Sequence, residues 1–263
     1  MPKFIEHLPF ETKRVVGEKA RIGLVVLASD WTIEHEFRSV LADPAIPDGV
    51  DIFVSRIANA ANVTPETLAA MGPTVTETAA RLLPGGTFDV LAYGCTSASM
   101  VLGPEAVSEQ LKAAKPEAAT TNPASAAFAA FEALSTNKIA VLTPYRRDVN
   151  EFILAGFEGA GLTVTAFGSF NEEVDATVAA IDTNSVRSGI ARVLQEGPAE
   201  AVFVSCTSIR LLHALKDLEA EFGVPIMSSN QAMIWHCLRL AGVDEKLGDF
   251  GNLFVQSQPV SRV

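Results

Sequence analysis

Four short segments recur in the same order in the two halves of the chain, and this internal repeat limits the possible folds more than any other feature. Residues 22–27 (IGLVVL) return as 139–144 (IAVLTP), and 49–57 (GVDIFVSRI) as 161–169 (GLTVTAFGS). Residues 90–99 (VLAYGCTSAS) return as 201–210 (AVFVSCTSIR), and 120–124 (TTNPA) as 228–232 (SSNQA). The offsets are 117, 112, 111 and 108 residues, a drift that small loop insertions and deletions would leave. One Val-rich match could arise by chance, whereas four in order mark a duplication. The period is too long for a solenoid, so the chain reads as two similar lobes related by a pseudo-two-fold axis.

Each repeat reads as strands alternating with helices. Strands are expected at 21–27, 50–57, 90–94 and 118–121, and again at 138–142, 162–168, 201–204 and 224–227. Helices are expected between them, including 104–114, 149–160, 185–196, 209–222 and 230–240. Asp30 or Thr32 can cap the first helix, Thr64-Pro65-Glu66 is a helix start, and Pro73 breaks the helical region that follows. Alternation of this kind gives a parallel sheet with right-handed crossovers. The fold class is therefore α/β, with two Rossmann-like lobes, each around a parallel four-stranded sheet, and a site in the cleft between them. The amino-terminal lobe is expected to span 1–136 and the carboxyl-terminal lobe 137–240, with the tail 241–263 packing back on the first lobe. No low-complexity linker separates them, so their interface should be substantial.

The length of 263 residues and an apolar fraction of 48% suffice for a packed core. No apolar run approaches the ~20 residues of a membrane span, and residues 1–14 lack the pattern of a secretory leader. A soluble cytoplasmic protein is expected. The net charge of −11, without a basic stripe, argues against nucleic acid as a partner. Cys95, Cys206 and Cys237 form neither a CxxC pair nor an even framework, which argues against disulfides and a metal site.

Cys95 and Cys206 both end an apolar strand, and both are followed by Thr-Ser. Ligands of open α/β sheets bind at the carboxyl ends of the strands. Thr96, Ser97, Thr207 and Ser208 are good helix caps, which would leave N–H donors aimed at whatever the cysteines face. A single cysteine at a strand end is ordinarily a small core residue, but packing does not explain two with the same successors. Two thiols on facing strand ends suit chemistry at one carbon from both sides, since a thiolate can serve as base, acid or nucleophile. A helix N-terminus is expected to lower the pKa of one of them. Cys237, on an apolar helix beside His236 and Trp235, reads as core. His35, His213 and His236 lack ligand spacing, and Arg146 with Arg147 reads as a solvated helix start.

The strings GCTSAS (94–99), TPY (143–145), SCTSIR (205–210) and SNQAMIW (229–235) together resemble the Asp/Glu racemase superfamily, in its maleate cis-trans isomerase and arylmalonate decarboxylase branch. The likeness covers nearly the whole chain. The opening VVLASDWTIEHEF also resembles the ectoine-utilisation proteins of that branch. The resemblance implies a cofactor-independent isomerase that needs no metal, acts on a small carboxylic acid, and assembles as a homodimer or larger homo-oligomer. It assigns Cys95 as the nucleophile and Cys206 as the acid/base. Thr96, Ser97, Thr207, Ser208 and the Tyr145 hydroxyl would hold carboxylate and enolate-like oxygens, with Ser29 in the first strand-end loop and Asn171 reaching the cleft.

Asp30 departs from the pattern, because the maleate isomerases carry an Asn in that loop. An ionised Asp30 would repel a dicarboxylate and welcome an ammonium group, which favours racemisation of an amino acid or a diaminobutyrate derivative. As a plain helix cap it would have no such effect. A decarboxylase on the same scaffold and a small-acid binder without turnover are the remaining alternatives. Cys95 counts against the first, and the presence of two thiols counts against the second.

Overall fold

The computed structural model describes residues 2–13 and 16–258. The first lobe runs β1 (Ala20–Leu27), α1 (Ile33–Leu41), β2 (Val50–Ile57), α2 (Pro65–Ala69), α3 (Val75–Ala80), β3 (Val90–Gly94), α4 (Thr96–Leu102), α5 (Pro104–Ala114), β4 (Ala119–Thr121) and α6 (Pro123–Ala133). The second runs β5 (Lys138–Thr143), α7 (Arg147–Gly159), β6 (Thr163–Ser169), α8 (Asp175–Ala179), α9 (Thr183–Leu194), β7 (Ala201–Val204), α10 (Leu215–Phe222), β8 (Ile226–Ser228) and α11 (Ser229–Leu240). The sheets have the orders β2-β1-β3-β4 and β6-β5-β7-β8, parallel throughout, so the duplication in sequence is a duplication in topology.

The central strands β1, β3, β5 and β7 are Val-, Ile-, Leu- and Ala-rich and almost wholly buried, as expected of strands covered on both faces. The expected helix start at Thr64 is present: its hydroxyl and that of Thr67 cap reciprocally. Pro73 lies in a single 3₁₀ turn that separates α2 from α3. Two expectations fail locally. The segment after Cys206 is not a helix from residue 209, since regular α structure begins only at Leu215, after a 3₁₀ turn at Leu212–Ala214. A short helix, α8, interrupts what reads in sequence as a polar connection.

The last helix of each repeat crosses to the other lobe. On α6, Phe131 packs edge-on against Phe157 of α7 and Phe203 of β7, in the second lobe. In return, α11 lies on β3 and α1 of the first lobe, and α6 and α11 pack on each other. Cys237 and Trp235 are fully buried on α11. The described tail is fastened to the second lobe's own helices. Arg239 of α11 donates to the carbonyls of Val243, Glu245, Phe254 and Gln256, and Asn252 N–H donates to Glu219 of α10. The described tail is thus held on α10 and α11, and residues 259–263 lie outside the described residues. Among the described residues no helix is long and apolar enough to cross a membrane.

Candidate active site

Cys95 follows β3 directly and is the N-cap residue of α4. A Cβ on the preceding Gly94 would come within 2.9 Å of Ile33, so glycine lets the start of α1 sit against this turn. The Cys95 carbonyl accepts from both the N–H and the hydroxyl of Ser99, at 3.0 and 2.7 Å. Its thiol lies 3.6 Å from Ser97 Oγ, and the nearby Ala98 N–H favours its thiolate without making a side-chain cap hydrogen bond. Cys95 itself holds the N-cap position, and the expected capping role of Thr96 and Ser97 is corrected. Those residues form the first turn of α4.

Cys206 occupies the equivalent place after β7 but lies in an irregular loop, so Thr207 and Ser208 are not helix caps either. The loop is held from outside. Cys206 N–H donates to Ser229 Oγ at 3.1 Å, and Ser229 Oγ also accepts from the Thr96 hydroxyl at 2.8 Å. The Thr32 hydroxyl donates to the Ser208 carbonyl. Buried Glu36 of α1 accepts from the N–H groups of Leu211 and Leu212 through one oxygen, both at 2.9 Å, and from Asn230 Nδ2 through the other, at 2.7 Å. Each cysteine loop is thus fixed in part by the opposite lobe.

Both thiols open onto one cavity, together with Ser97, Tyr145, Thr207 and Ser208. Tyr145 lines the same cavity, where its hydroxyl influences both the Ser97 side and the Cys206 thiol, whose thiolate it favours. Its backbone is pinned by Asn150 Nδ2 and Ser169 Oγ, which both donate to its carbonyl. The space open to a water molecule is only about 10 Å³, enough for about one water. Asn62 and Val63, in the loop after β2, close the mouth by pairing with Glu173 and Val174 of the second lobe.

Burial pushes both thiols up to about 12, against the expectation that a helix N-terminus would bring one down. Loss of hydration disfavours the thiolate more than the local donors favour it. Those donors are the Ala98 N–H and Ser97 hydroxyl at Cys95, and Tyr145 with the Ser208 N–H, 3.3 Å away, at Cys206. Burial also raises the Tyr145 phenol, and the two thiolates raise it further.

The other expected residues divide. Ser29 stands one step behind the cavity wall and donates to Asp175 Oδ2 at 2.5 Å. Asp30 does not line the cavity: its Oδ1 accepts the N–H groups of Thr32 and Ile33 at 2.8 and 2.9 Å, the helix-cap alternative. Burial raises its carboxyl to about 6, with those two N–H bonds and the Thr207 hydroxyl opposing the rise. Thr96 is buried behind the wall as the partner of Ser229. Asn171 is corrected outright: it is exposed, its φ of 56° turns the chain outward, and it lies in a surface groove with Arg147 and Glu151. Asp175 and Asn59 do line the cavity, though sequence reasoning passed over both. Their signal was position alone, each standing shortly after a strand end. His236 is held by Thr121 and pushed down to about 4 by burial, and with Cys237 it stays in the core.

Comparison with known proteins accords with this geometry. The chain is 29% identical to the maleate isomerase of Nocardia farcinica over 249 residues, covering 92% of this chain and 98% of that one. It is 31% identical to the arylmalonate decarboxylase of Bordetella bronchiseptica over 201 residues, covering 74% and 83%. In structure it matches the N. farcinica maleate cis-trans isomerase, solved as a mutant with a covalently bound succinylcysteine intermediate, with a TM-score of 0.79 and 27% identity over 89% and 98% of the two chains. The family model for arylmalonate decarboxylase matches residues 45–254, and the chain belongs to that family, in keeping with the resemblance carried by its two Cys-Thr-Ser turns.

Proposed function

We propose that the protein is a cofactor-independent, cysteine-dependent isomerase that converts a small cis-unsaturated carboxylic acid into its trans isomer. The observation that carries this reading is the pairing of Cys95 and Cys206, one from each lobe, on a single narrow cavity that Tyr145 also lines. Cys95 as thiolate adds to one alkene carbon, forming a C–S bond and moving the π electrons toward the conjugated carboxyl. Cys206 delivers its proton to the neighbouring carbon. The carbon–carbon bond is then single and turns. Cys206 takes a proton back, the double bond re-forms, and Cys95 leaves as the thiolate it was, so no atom or electron is gained or lost. Oxyanion donors of the kind supplied by Tyr145, Ser97 and Thr207 are typically worth roughly 3 kcal/mol each in barrier. The succinylcysteine captured in the N. farcinica relative supports the covalent step.

Proton NMR in D₂O with maleate and with its monoamide tests the reading. The cis vinyl signals should give way to trans ones, and Cys95→Ala and Cys206→Ala should each lower kcat at least a thousandfold while the circular dichroism stays native. Full turnover in either variant overturns the two-thiol mechanism. Deuterium entering the α-carbon of an amino acid, without alkene chemistry, would establish the racemase alternative instead. The expected homo-oligomer and cytoplasmic location belong to the same proposal. They rest on the family likeness and on three buried, unpaired thiols, and light scattering on the purified chain measures the assembly.

A further inference from the structure

The mechanism leaves the charged residue of the cavity wall without a task. Asp175, the first residue of α8, is buried yet faces the same cavity as both thiols. Its position is set from the opposite lobe. Ser29 Oγ accepts from Asn59 Nδ2 at 2.8 Å, which turns the Ser29 proton onto Asp175 Oδ2 at 2.5 Å. The Ser29 N–H is in turn held by Asn59 Oδ1 at 3.2 Å. Two strand-end loops of the first lobe thus aim a carboxylate of the second across the cleft.

The charge around it has one sign. Among the described lining residues Asp175 is the only charged side chain, and no Lys, Arg or His stands with it. Asp30 and Glu36 lie just behind the wall, and Arg56, on the far side of Asp30, is taken up by the carbonyls of Leu27, Ala28 and Asp30 and by Glu34. Neutral donors suffice for one carboxylate: the hydroxyls of Ser97, Tyr145 and Thr207 surround the thiols. A second carboxylate would meet Asp175 with no cation to offset it, and like charges brought together out of water are strongly disfavoured. Burial raises the Asp175 carboxyl, and the Ser29 hydrogen bond opposes that rise by favouring the carboxylate.

We propose that Asp175, oriented by Ser29, determines specificity, and that the substrate carries one carboxylate at the thiol end and an N–H donor, amide or ammonium, at the other. This rests on the isomerase reading only for the chemistry at the double bond, because the recognition can be measured without turnover.

The test uses the full chain and saturated ligands that cannot isomerise: succinate, its monoamide succinamate, and 4-aminobutyrate, titrated calorimetrically. Succinamate or 4-aminobutyrate should bind at least tenfold more tightly than succinate, and whichever does so fixes the donor as amide or ammonium. Asp175→Asn should shrink that preference to within about threefold or reverse it, and Ser29→Ala should shift it the same way by a smaller factor. Succinate binding as tightly as both nitrogen ligands, no binding of either nitrogen ligand, or an Asp175→Asn variant with unchanged preference overturns the proposal. Turnover separates the two readings. If maleate is isomerised with a higher kcat/KM than its monoamide, the specificity proposal fails and the isomerase stands. If the nitrogen ligands bind as expected and neither cis acid is isomerised, the isomerase reading fails and this one stands.

Discussion

A thiol with a pKa near 12 is almost entirely protonated at neutral pH, so the reactivity of Cys95 depends on what helps its proton leave. Burial sets the high value, and the Ala98 N–H and Ser97 hydroxyl are the two groups that oppose it. As the Asp30 carboxyl ionises around pH 6, its charge adds to the burial that holds the Cys206 thiol high. Each thiolate also disfavours the other, so the doubly ionised form stays rare. The pH dependence of kcat/KM reports groups of the free enzyme. Because the thiol pKa is raised, the active thiolate fraction is lowest in acid and grows as pH rises toward 12. Log kcat/KM should therefore climb with a slope of about one from pH 7 to 9.5, without a plateau. A profile flat from pH 7 upward would show that the resting thiolate is far more stable than its buried setting allows.

At the scale of elements, the loop carrying Cys206 is the part that an α/β scaffold does not supply by itself. Its amides at Leu211 and Leu212 are satisfied by Glu36, which lies 175 residues away from the first of them in the chain. That carboxylate is fully buried and hydrogen-bonded three times, so truncating it leaves buried donors unpaired. Glu36→Ala should lower stability by roughly 3 to 5 kcal/mol, the range for removing one partner of a buried charged network. Denaturant titration measures the loss, and hydrogen exchange should quicken first at Leu211 and Leu212. A change below 1 kcal/mol would mean that the loop holds its shape without Glu36. The same contact explains what could be read in the sequence. All eight strands were legible, because β-favouring runs repeat in order and the repeat doubles every signal. The loop after Cys206 was not legible: residues 209–222 have helical spacing, and only a long-range carboxylate draws two of their amides out of a helix. Asp175 was missed for a related reason. The repeat aligns Asn59, which reaches the cavity, with Asn171, which does not, because the chain turns outward at Asn171 and comes back only at Glu173 to pair with the loop after β2.

At the scale of the whole molecule, the exchanged helices and the closed mouth set opposite requirements. With α6 packed on the second lobe and α11 on the first, neither sheet has a complete cover of its own, which ties the lobes together near their centre. The cavity, however, offers only about 10 Å³, far less than a four-carbon acid occupies. Entry therefore needs a movement that leaves the helix exchange intact. The segment at the mouth is suited to it, because its link to the other lobe is slight: an isolated antiparallel bridge between Asn62 and Val174, which includes the hydrogen bond from Val63 N–H to the Glu173 carbonyl at 3.1 Å. Such a bridge breaks at small cost, since a net hydrogen bond is worth about 1 kcal/mol, whereas separating the lobes would expose the Phe131 and Trp235 cores. Opening at this strap alone should let substrate in, and closure should then exclude water from the C–S bond-forming step. A reversible staple tests the idea. In an Asn62→Cys, Val174→Cys double variant, oxidation across the bridge should abolish turnover and substrate-analogue binding together, and reduction should restore both. The reduced variant should also show faster hydrogen exchange at residues 59–71 than in the helices α6 and α11. Undiminished turnover in the oxidised, stapled form would place the entrance elsewhere on the molecule and leave the strap as a fixed part of the wall.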